Sequence, residues 1–536
     1  MGCDAMTQER EFAVKLSVCL SVFAFGFLAW AETEIAPAFP WDKGAPHINA
    51  PSRFGATSWK DFTYTFPVRG AREGMRYSLA GTLPAGVSFD KTKGRLSGRG
   101  VSGVYPLVFT AANGEGRDSK PFELVIGEGC LALTPPLGWC SWNAFHGSVS
   151  QRTVLEMAHL MVTNGLAARG YAYVNIDAGW AEYLPDGTSA RREEGLLSNS
   201  RFPDMRAMTD EIHALGLKCG IYSSPMTRTW GGDIAMPKKG PARAYPGSTG
   251  VPVDTNHVCF AAPFGLKVGG IGSRHYEGPD ARRWAEWGFD FLKYDWSTTR
   301  PGLCRMMREA LDATGRDFLM QCCTWCQLED AEDYRGVGQL LRGNNDISAR
   351  WHFAEHPDRG LDHISRMADK WADKIGPGMW YDLDMLGVGR TTKEWKVHFT
   401  RDEQIFHFVY WAFFPAPLFI SCDLNVFDGF LLDLACNEEL LAVNQDAAGR
   451  GPSIKDRQDG VRILRRVLAD GRQAVALFNY AGEERVVLSS EVGAEDVRDI
   501  LACRNVSIAG GVRIASHATR VFAYSVAPQG ARTRRQ

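Results

Sequence analysis

Phe289-Asp-Phe-Leu-Lys-Tyr-Asp295 sets the reading of the whole chain: an apolar run of the length of one buried strand that closes on a carboxylate. Other runs share its form. Tyr171-Ala-Tyr-Val-Asn-Ile-Asp177 ends on Asp177, Leu217-Lys-Cys-Gly-Ile-Tyr222 on Tyr222, and Pro417-Leu-Phe-Ile-Ser421 on Ser421. Between them the apolar period turns helical. Val154, Met157, Ala158 and Met161 fall on one face, and a second helix is predicted from Pro203, with Met205, Met208, Ile212 and Leu215 pointing one way. Strand then helix, repeated over residues 130–449, predicts a (β/α)8 TIM barrel in an α/β chain. No phosphate-type glycine turn follows the first strand, which disfavours an open dinucleotide-binding sheet.

The flanks read differently. Residues 32–129 are short apolar bursts broken by Gly and Pro, such as Phe62-Thr-Tyr-Thr-Phe66 and Gly103-Val-Tyr-Pro-Leu-Val-Phe-Thr110, which predicts a small β-sandwich. Gly98-Arg-Gly-Val-Ser-Gly103 matches GxGxxG but lies between predicted strands, so a nucleotide reading fails its context test. Residues 450–536 return to strand patterning, as in Ala474-Val-Ala-Leu-Phe478, and predict a second, antiparallel sandwich. At the start, Arg10 and Lys15 precede an apolar run over 16–28 that ends in Ala29-Trp30-Ala31. This reads as a signal peptide over residues 1–31, with a secreted or periplasmic product and no membrane anchor once it is removed.

Composition excludes several classes of function. Sixty Lys and Arg against 62 Asp and Glu leave a net charge of −2, which offers no attraction to nucleic acid or anionic membranes. With Cys3 and Cys19 in the predicted signal, 11 of the 13 cysteines remain, and no disulfide framework can be read from them. Sixteen Trp suit flat platforms of the kind that stack on sugar faces. The sequence is silent on oligomeric state.

In such a barrel the reacting groups sit where strands end, at the carboxyl face. Asp177 and Asp295 close strands, Asp346 follows Leu341-Arg-Gly-Asn-Asn, and Asp382 and Asp384 flank Leu383. One such Asp is as well explained as a helix cap. Several converging carboxylates suit glycosidic bond cleavage, where one attacks the anomeric carbon and another protonates the leaving oxygen and then activates water. Lys293, two residues before Asp295 on the same strand, faces the same way and supplies positive charge that keeps a nucleophile ionised; its structural alternative is a salt bridge inside the barrel. The acid, by contrast, needs a dry place or a neighbouring negative charge to keep its proton.

Leu133-Thr-Pro-Pro-Leu-Gly-Trp-Cys-Ser-Trp-Asn143, VNIDAGW, GIYSS, WAEWGFDFLKYDW, RGNNDI, WYDLDML and PAPLFISCDL…LLAVNQD follow one another in the order of glycoside hydrolase family 27, which this chain resembles. That family comprises α-galactosidases and α-N-acetylgalactosaminidases. The LPAGVSFD…TKGRLSG run likewise resembles the immunoglobulin-like module found ahead of bacterial glycosidases. The resemblance implies a retaining exo-glycosidase acting on terminal α-D-galactosyl residues of oligo- or polysaccharides, with Asp295 as nucleophile and Asp346 as acid/base. It further implies that Lys293 and Arg342 hold sugar hydroxyls, that Trp142 packs on the sugar, that Asp177 grips the far-side hydroxyls, and that Tyr222 and Asp384 line the pocket. The expected partner is a carbohydrate, and no cofactor or metal is implied. Retention requires the two carboxyls to lie ~5–5.5 Å apart.

Several positions depart from the family pattern. Galactose-specific members carry a second Asp where this chain has Ala178, Thr324 replaces an acidic residue of some animal relatives, and Trp230 and Ser297 replace a bacterial cysteine pair. Tyr381 takes the place of an Asn, and residues 226–278 form a long insertion, either a lid or a solvated loop. These changes keep open a β-L-arabinopyranosidase, an α-N-acetylgalactosaminidase and a non-catalytic carbohydrate-binding protein. His352-Phe-Ala-Glu-His356 and Cys323-x-x-Cys326 resemble zinc motifs, but Pro357 follows the first and the second lacks its partner pair.

Overall fold

A computed structural model describes residues 33–182, 191–192, 194–224, 276–295, 301–323, 325–389 and 397–526. The predicted signal run, Trp230, Ser297, Thr324 and nearly all of the 226–278 insertion lie outside the described residues. The middle of the chain is the expected barrel. Its strands are β1 (Leu137–Cys140), β2 (Tyr173–Asn175), β3 (Lys218–Ser223), β4 (Phe291–Tyr294), β5 (Leu319–Cys323), β6 (Leu340–Arg342), β7 (Trp380–Tyr381) and β8 (Leu418–Ile420). All neighbours in the order β7-β6-β5-β4-β3-β2-β1-β8 run parallel. The chain beyond β7 closes the ring: Leu386 N–H donates to the Phe419 carbonyl at 2.8 Å, and Ser421 N–H to the Leu386 carbonyl at 3.1 Å.

Four helices show how local sequence packs around this ring: α1 (Gln151–Thr163), α2 (Met205–Ala214), α3 (Glu277–Trp287) and α4 (Arg401–Phe413). In α1 the buried face is Val154, Met157, Ala158 and Met161, as the periodicity predicts. Helix α2 begins after Pro203, because the Asp204 carboxylate accepts the Ala207 N–H at 2.9 Å and so caps the first turn; Leu215 is the half-buried C-cap. Helix α4 carries a capping box, Thr400 with Glu403, and buries every residue from Ile405 to Phe413. A helix apolar all round needs cover on all sides. It receives it from the barrel on one flank and from the C-terminal sandwich on the other, where Phe406 meets Phe478 edge-on at 4.8 Å.

The N-terminal sandwich pairs a four-stranded sheet, in the order Arg53–Ala56, Gly116–Ile126, Gly103–Asn113, Arg76–Ala80, with a three-stranded one, Phe62–Thr65, Arg95–Gly98, Val87–Asp90. Phe66 stacks on Phe109 at 3.8 Å in its core. The GxGxxG stretch joins two strands and no helix follows it. In the C-terminal six-stranded sheet, strand Gln473–Asn479 alternates by two: Val475 and Leu477 face the sandwich's own core, while Ala474, Ala476 and Phe478 join the barrel core. Burying a side chain such as Phe478 stabilises that joint by roughly 1.5–3 kcal/mol.

Candidate active site

Parallel register aligns the strand ends. Tyr222 of β3 is level with Lys293 of β4, and Lys293 with Gln321 of β5; one step higher, Cys323 of β5 is level with Arg342 of β6. Asp295 continues β4, donating its N–H to the Ser223 carbonyl at 2.9 Å, and the two-residue period puts it on the face of Lys293. The carboxyl end of the barrel thus gathers Asp177, Tyr222, Lys293, Asp295 and Arg342, each at most intermediate in exposure.

Lys293 Nζ lies 2.7 Å from Asp177 Oδ2, and its ammonium is 5.7 Å from the centre of the Tyr222 ring. Asp177 is held on every side. Its N–H donates to Ser141 Oγ at 2.9 Å, its Oδ1 accepts the Ala178 N–H at 2.8 Å, and Cys140 Sγ approaches Oδ2 at 3.5 Å. Ala178, where a second carboxylate was expected by resemblance, is a buried methyl. The Trp180 indole N–H donates to the Tyr222 carbonyl at 2.8 Å and ties β3 to the loop beyond β2.

Arg342 divides its guanidinium between two acids: Nη2 lies 2.6 Å from Asp346 Oδ1, and Nη1 lies 2.6 Å from Asp384 Oδ1. Asp384 has φ +87°, a conformation a non-glycine side chain disfavours. Five bonds hold it there. Its N–H donates to Asp382 Oδ1 at 2.9 Å, its carboxylate accepts Ile347 and Met385 N–H at 2.8 Å each and takes the Arg342 pair, and its carbonyl accepts the Trp411 indole N–H at 2.7 Å. The other oxygen of Asp382 accepts from Gln321 Nε2.

The electrostatics depart from the sequence expectation. Burial raises the proton affinity of Asp295, and although Lys293 and Arg342 pull it down, the balance stays above the usual carboxylate range. Asp346 leaves half of its side chain open. The atoms packed round it draw its affinity up, but Arg342, Lys293 and Arg359 outweigh them and hold it low. The drier place therefore belongs to Asp295, and the stronger net pull of neighbouring cations to Asp346. The charge of Asp346 also raises Asp295. Asp382 is pushed up to about 6 by burial and by Asp384.

Trp142 is half-buried above the cluster of Cys140, Phe291, Met385 and Phe419, its ring 4.7 Å from that of His146. Gln321 is not singled out by the sequence and Asp382 only as one more strand-end carboxylate without a role, yet both hold the site together. A polar residue inside the otherwise apolar Leu319–Cys323 run was the available signal for the first, and strand-end placement for the second. The zinc-like motifs do not assemble. His352 to His356 form a turn in which His352 Nδ1 pairs with Asp362 at 3.0 Å, and Cys326 Sγ donates to the Cys322 carbonyl. Tyr381 is buried and stacks on Trp371 at 4.8 Å.

A family model described as alpha galactosidase A matches residues 134–238 and 262–446, and an Ig-like domain model matches 45–127. Alpha-galactosidase 2 of Arabidopsis thaliana is 32% identical over 384 residues, 70% of this chain and 83% of that protein. Among solved structures, a candidate alpha-galactosidase/melibiase of Bacteroides fragilis superposes with a TM-score of 0.76 at 28% identity, over 90% of this chain and 98% of its own. A β-L-arabinopyranosidase of Geobacillus stearothermophilus gives a TM-score of 0.62 at 26% identity, over 74% of this chain and 98% of its own.

Proposed function

The chain belongs to the alpha galactosidase A family, a glycoside hydrolase family, and from that premise we propose that it releases terminal α-D-galactosyl residues with retention of configuration, through Asp295 and Asp346. Asp295 Oδ attacks the anomeric carbon while Asp346 gives its proton to the glycosidic oxygen, and the C1–O bond breaks. A glycosyl ester on Asp295 results. Asp346, now a carboxylate, takes a proton from water; the water oxygen bonds to C1 and the ester bond to Asp295 breaks. The observation that supports this reading is that the charges of Lys293 and Arg342 act on both Asp295 and Asp346, with Arg342 2.6 Å from Asp346.

This chemistry needs Asp346 to hold the proton and Asp295 to be ionised, against the directions their surroundings set, and substrate binding supplies a reason. A leaving group docked over half-open Asp346 removes its water and raises it. Sugar hydroxyls donating to Asp295 favour its ionised form. Trp142 offers an apolar face to the ring, and Asp177 with Lys293 a fixed acceptor and donor for its hydroxyls.

The test is a panel of nitrophenyl glycosides on wild type and Asp295→Asn. Activity on the α-galactoside is expected, falling at least ~10³-fold in the variant; a variant that keeps its activity removes the assigned role. The buried methyl of Ala178 favours a second reading, a β-L-arabinopyranoside substrate, whose ring lacks the hydroxymethyl group that a further acceptor would hold. The same panel separates the two by relative kcat/KM. Export through the 1–31 signal is part of the proposal, and amino-terminal sequencing of the mature protein checks it.

A further inference from the structure

We propose that the space between the N-terminal sandwich and the barrel floor is a second ligand site, built for a small ring-bearing carboxylate with Lys218 as its charge partner. The cavity measures about 490 Å³, within the range of small-molecule sites. It lies among the amino ends of β1, β2, β3 and β5, at the face of the barrel away from Asp295. Both modules make it: Phe54, Tyr64 and Arg95 come from the sandwich, Tyr173 and Lys218 from the barrel.

Lys218 begins β3, and its ammonium sits between two aromatic rings, 5.2 Å from the centre of Phe54 and 5.7 Å from that of Tyr173. Among the described residues it makes no side-chain hydrogen bond and no ion pair. Two acids that line the same cavity act on it through their charge, one of them already paired. Asp290 pairs with Arg316 at 2.6 Å and with His213 at 2.8 Å, and Asp317 accepts the Thr57 N–H at 3.0 Å. Arg95 on the opposite wall donates to Thr65 Oγ1 and to the His213 carbonyl, neither of which cancels its charge. Lys218 and Arg95 together outnumber Asp317, the one of these two acids that no cation pairs among the described residues, and π faces offset only part of that excess of positive charge. An anion is the group that completes the site. The Phe54 and Tyr173 rings in the lining favour a flat or sugar-ring body attached to it. Acidic sugars and aromatic acids share this chemistry.

Calorimetric titration of the full chain with galacturonate, with benzoate and with galactose tests the site. At least one of the two carboxylates is expected to bind wild type and Asp295→Asn alike, in the presence of saturating galactose. Lys218→Met is expected to weaken that binding at least ~10-fold, in keeping with the loss of a charged partner. Arg95→Gln gives a second reading of the same site should Lys218→Met fail to fold, and is expected to weaken binding in the same direction. The arm that binds names the source, sugar acid or aromatic acid. Absence of heat from either carboxylate up to about 10 mM, the weak end of specific recognition, overturns the proposal. So does binding that galactose displaces, or binding that both variants leave unchanged.

Discussion

Arg342 meets Asp384 at 2.6 Å, between side chains that expose 2% and 4% of their surface, and the other arm of the same guanidinium holds Asp346. The proposed acid/base is therefore aimed by a residue on a different strand end, through a planar fork that fixes both partners at once.

Arg342→Lys is expected to separate these duties. A lysine offers one point charge and cannot span both carboxylates in a fixed plane. Steady-state kinetics should show kcat/KM on an α-galactoside lowered by about 10²-fold, roughly 3 kcal/mol of transition-state stabilisation. Asp384, strained at φ +87°, also loses one of its five restraints, so the melting temperature should fall. A variant with wild-type kinetics removes the aiming role.

Asp346→Asn is expected to depend on the leaving group. Nitrophenolate departs without a proton and an alkyl alcohol does not, so the loss should reach ~10²–10⁴-fold on an alkyl galactoside and be clearly smaller on the nitrophenyl one. Equal losses on both substrates point to a binding role instead.

Asp382→Asn tests the buried acid beneath Asp384. The folded state raises this carboxyl to about 6, so its favourable contribution is full below its unfolded value near 4 and is lost as pH rises through 6. Above pH 6 the ionised form costs the fold on the order of 3 kcal/mol. The Asn variant should accordingly gain in melting temperature relative to wild type at pH 8, with the gap closing below pH 5. Catalysis should fall at both pH values, because Asp382 holds the Asp384 N–H and Gln321.

Asp177→Ala leaves Lys293 with a buried charge and no partner at 2.7 Å. Urea unfolding should report a loss of about 3–5 kcal/mol, typical of breaking one side of a buried pair. If Asp177 also holds sugar hydroxyls, KM rises together with the loss of kcat; unchanged kinetics in the folded variant confine Asp177 to the ion pair.

The apolar runs that close on Asp177 and Asp295, and the helical face of Val154 to Met161, are local patterns, and buried strands and helix stripes announce themselves locally because side-chain period follows backbone geometry. The barrel and its two sandwich flanks were legible for that reason, and the family resemblance through the order of its motifs. What was not legible depends on partners far apart in the chain. Lys293 and Asp177 are 116 residues apart, Gln321 and Asp382 61 apart, and only closure of the ring brings them together. Proton affinity belongs to the same class. Lys293 beside Asp295 on one strand suggests a carboxyl held ionised, yet burial outweighs that charge and Arg342 draws Asp346 the other way. The sequence by itself determined which residues stand at the strand ends; the tertiary structure alone decided which of them are dry, which are paired, and in which direction the proton affinity of each is drawn, because desolvation and Coulomb energy depend on distance in space rather than along the chain.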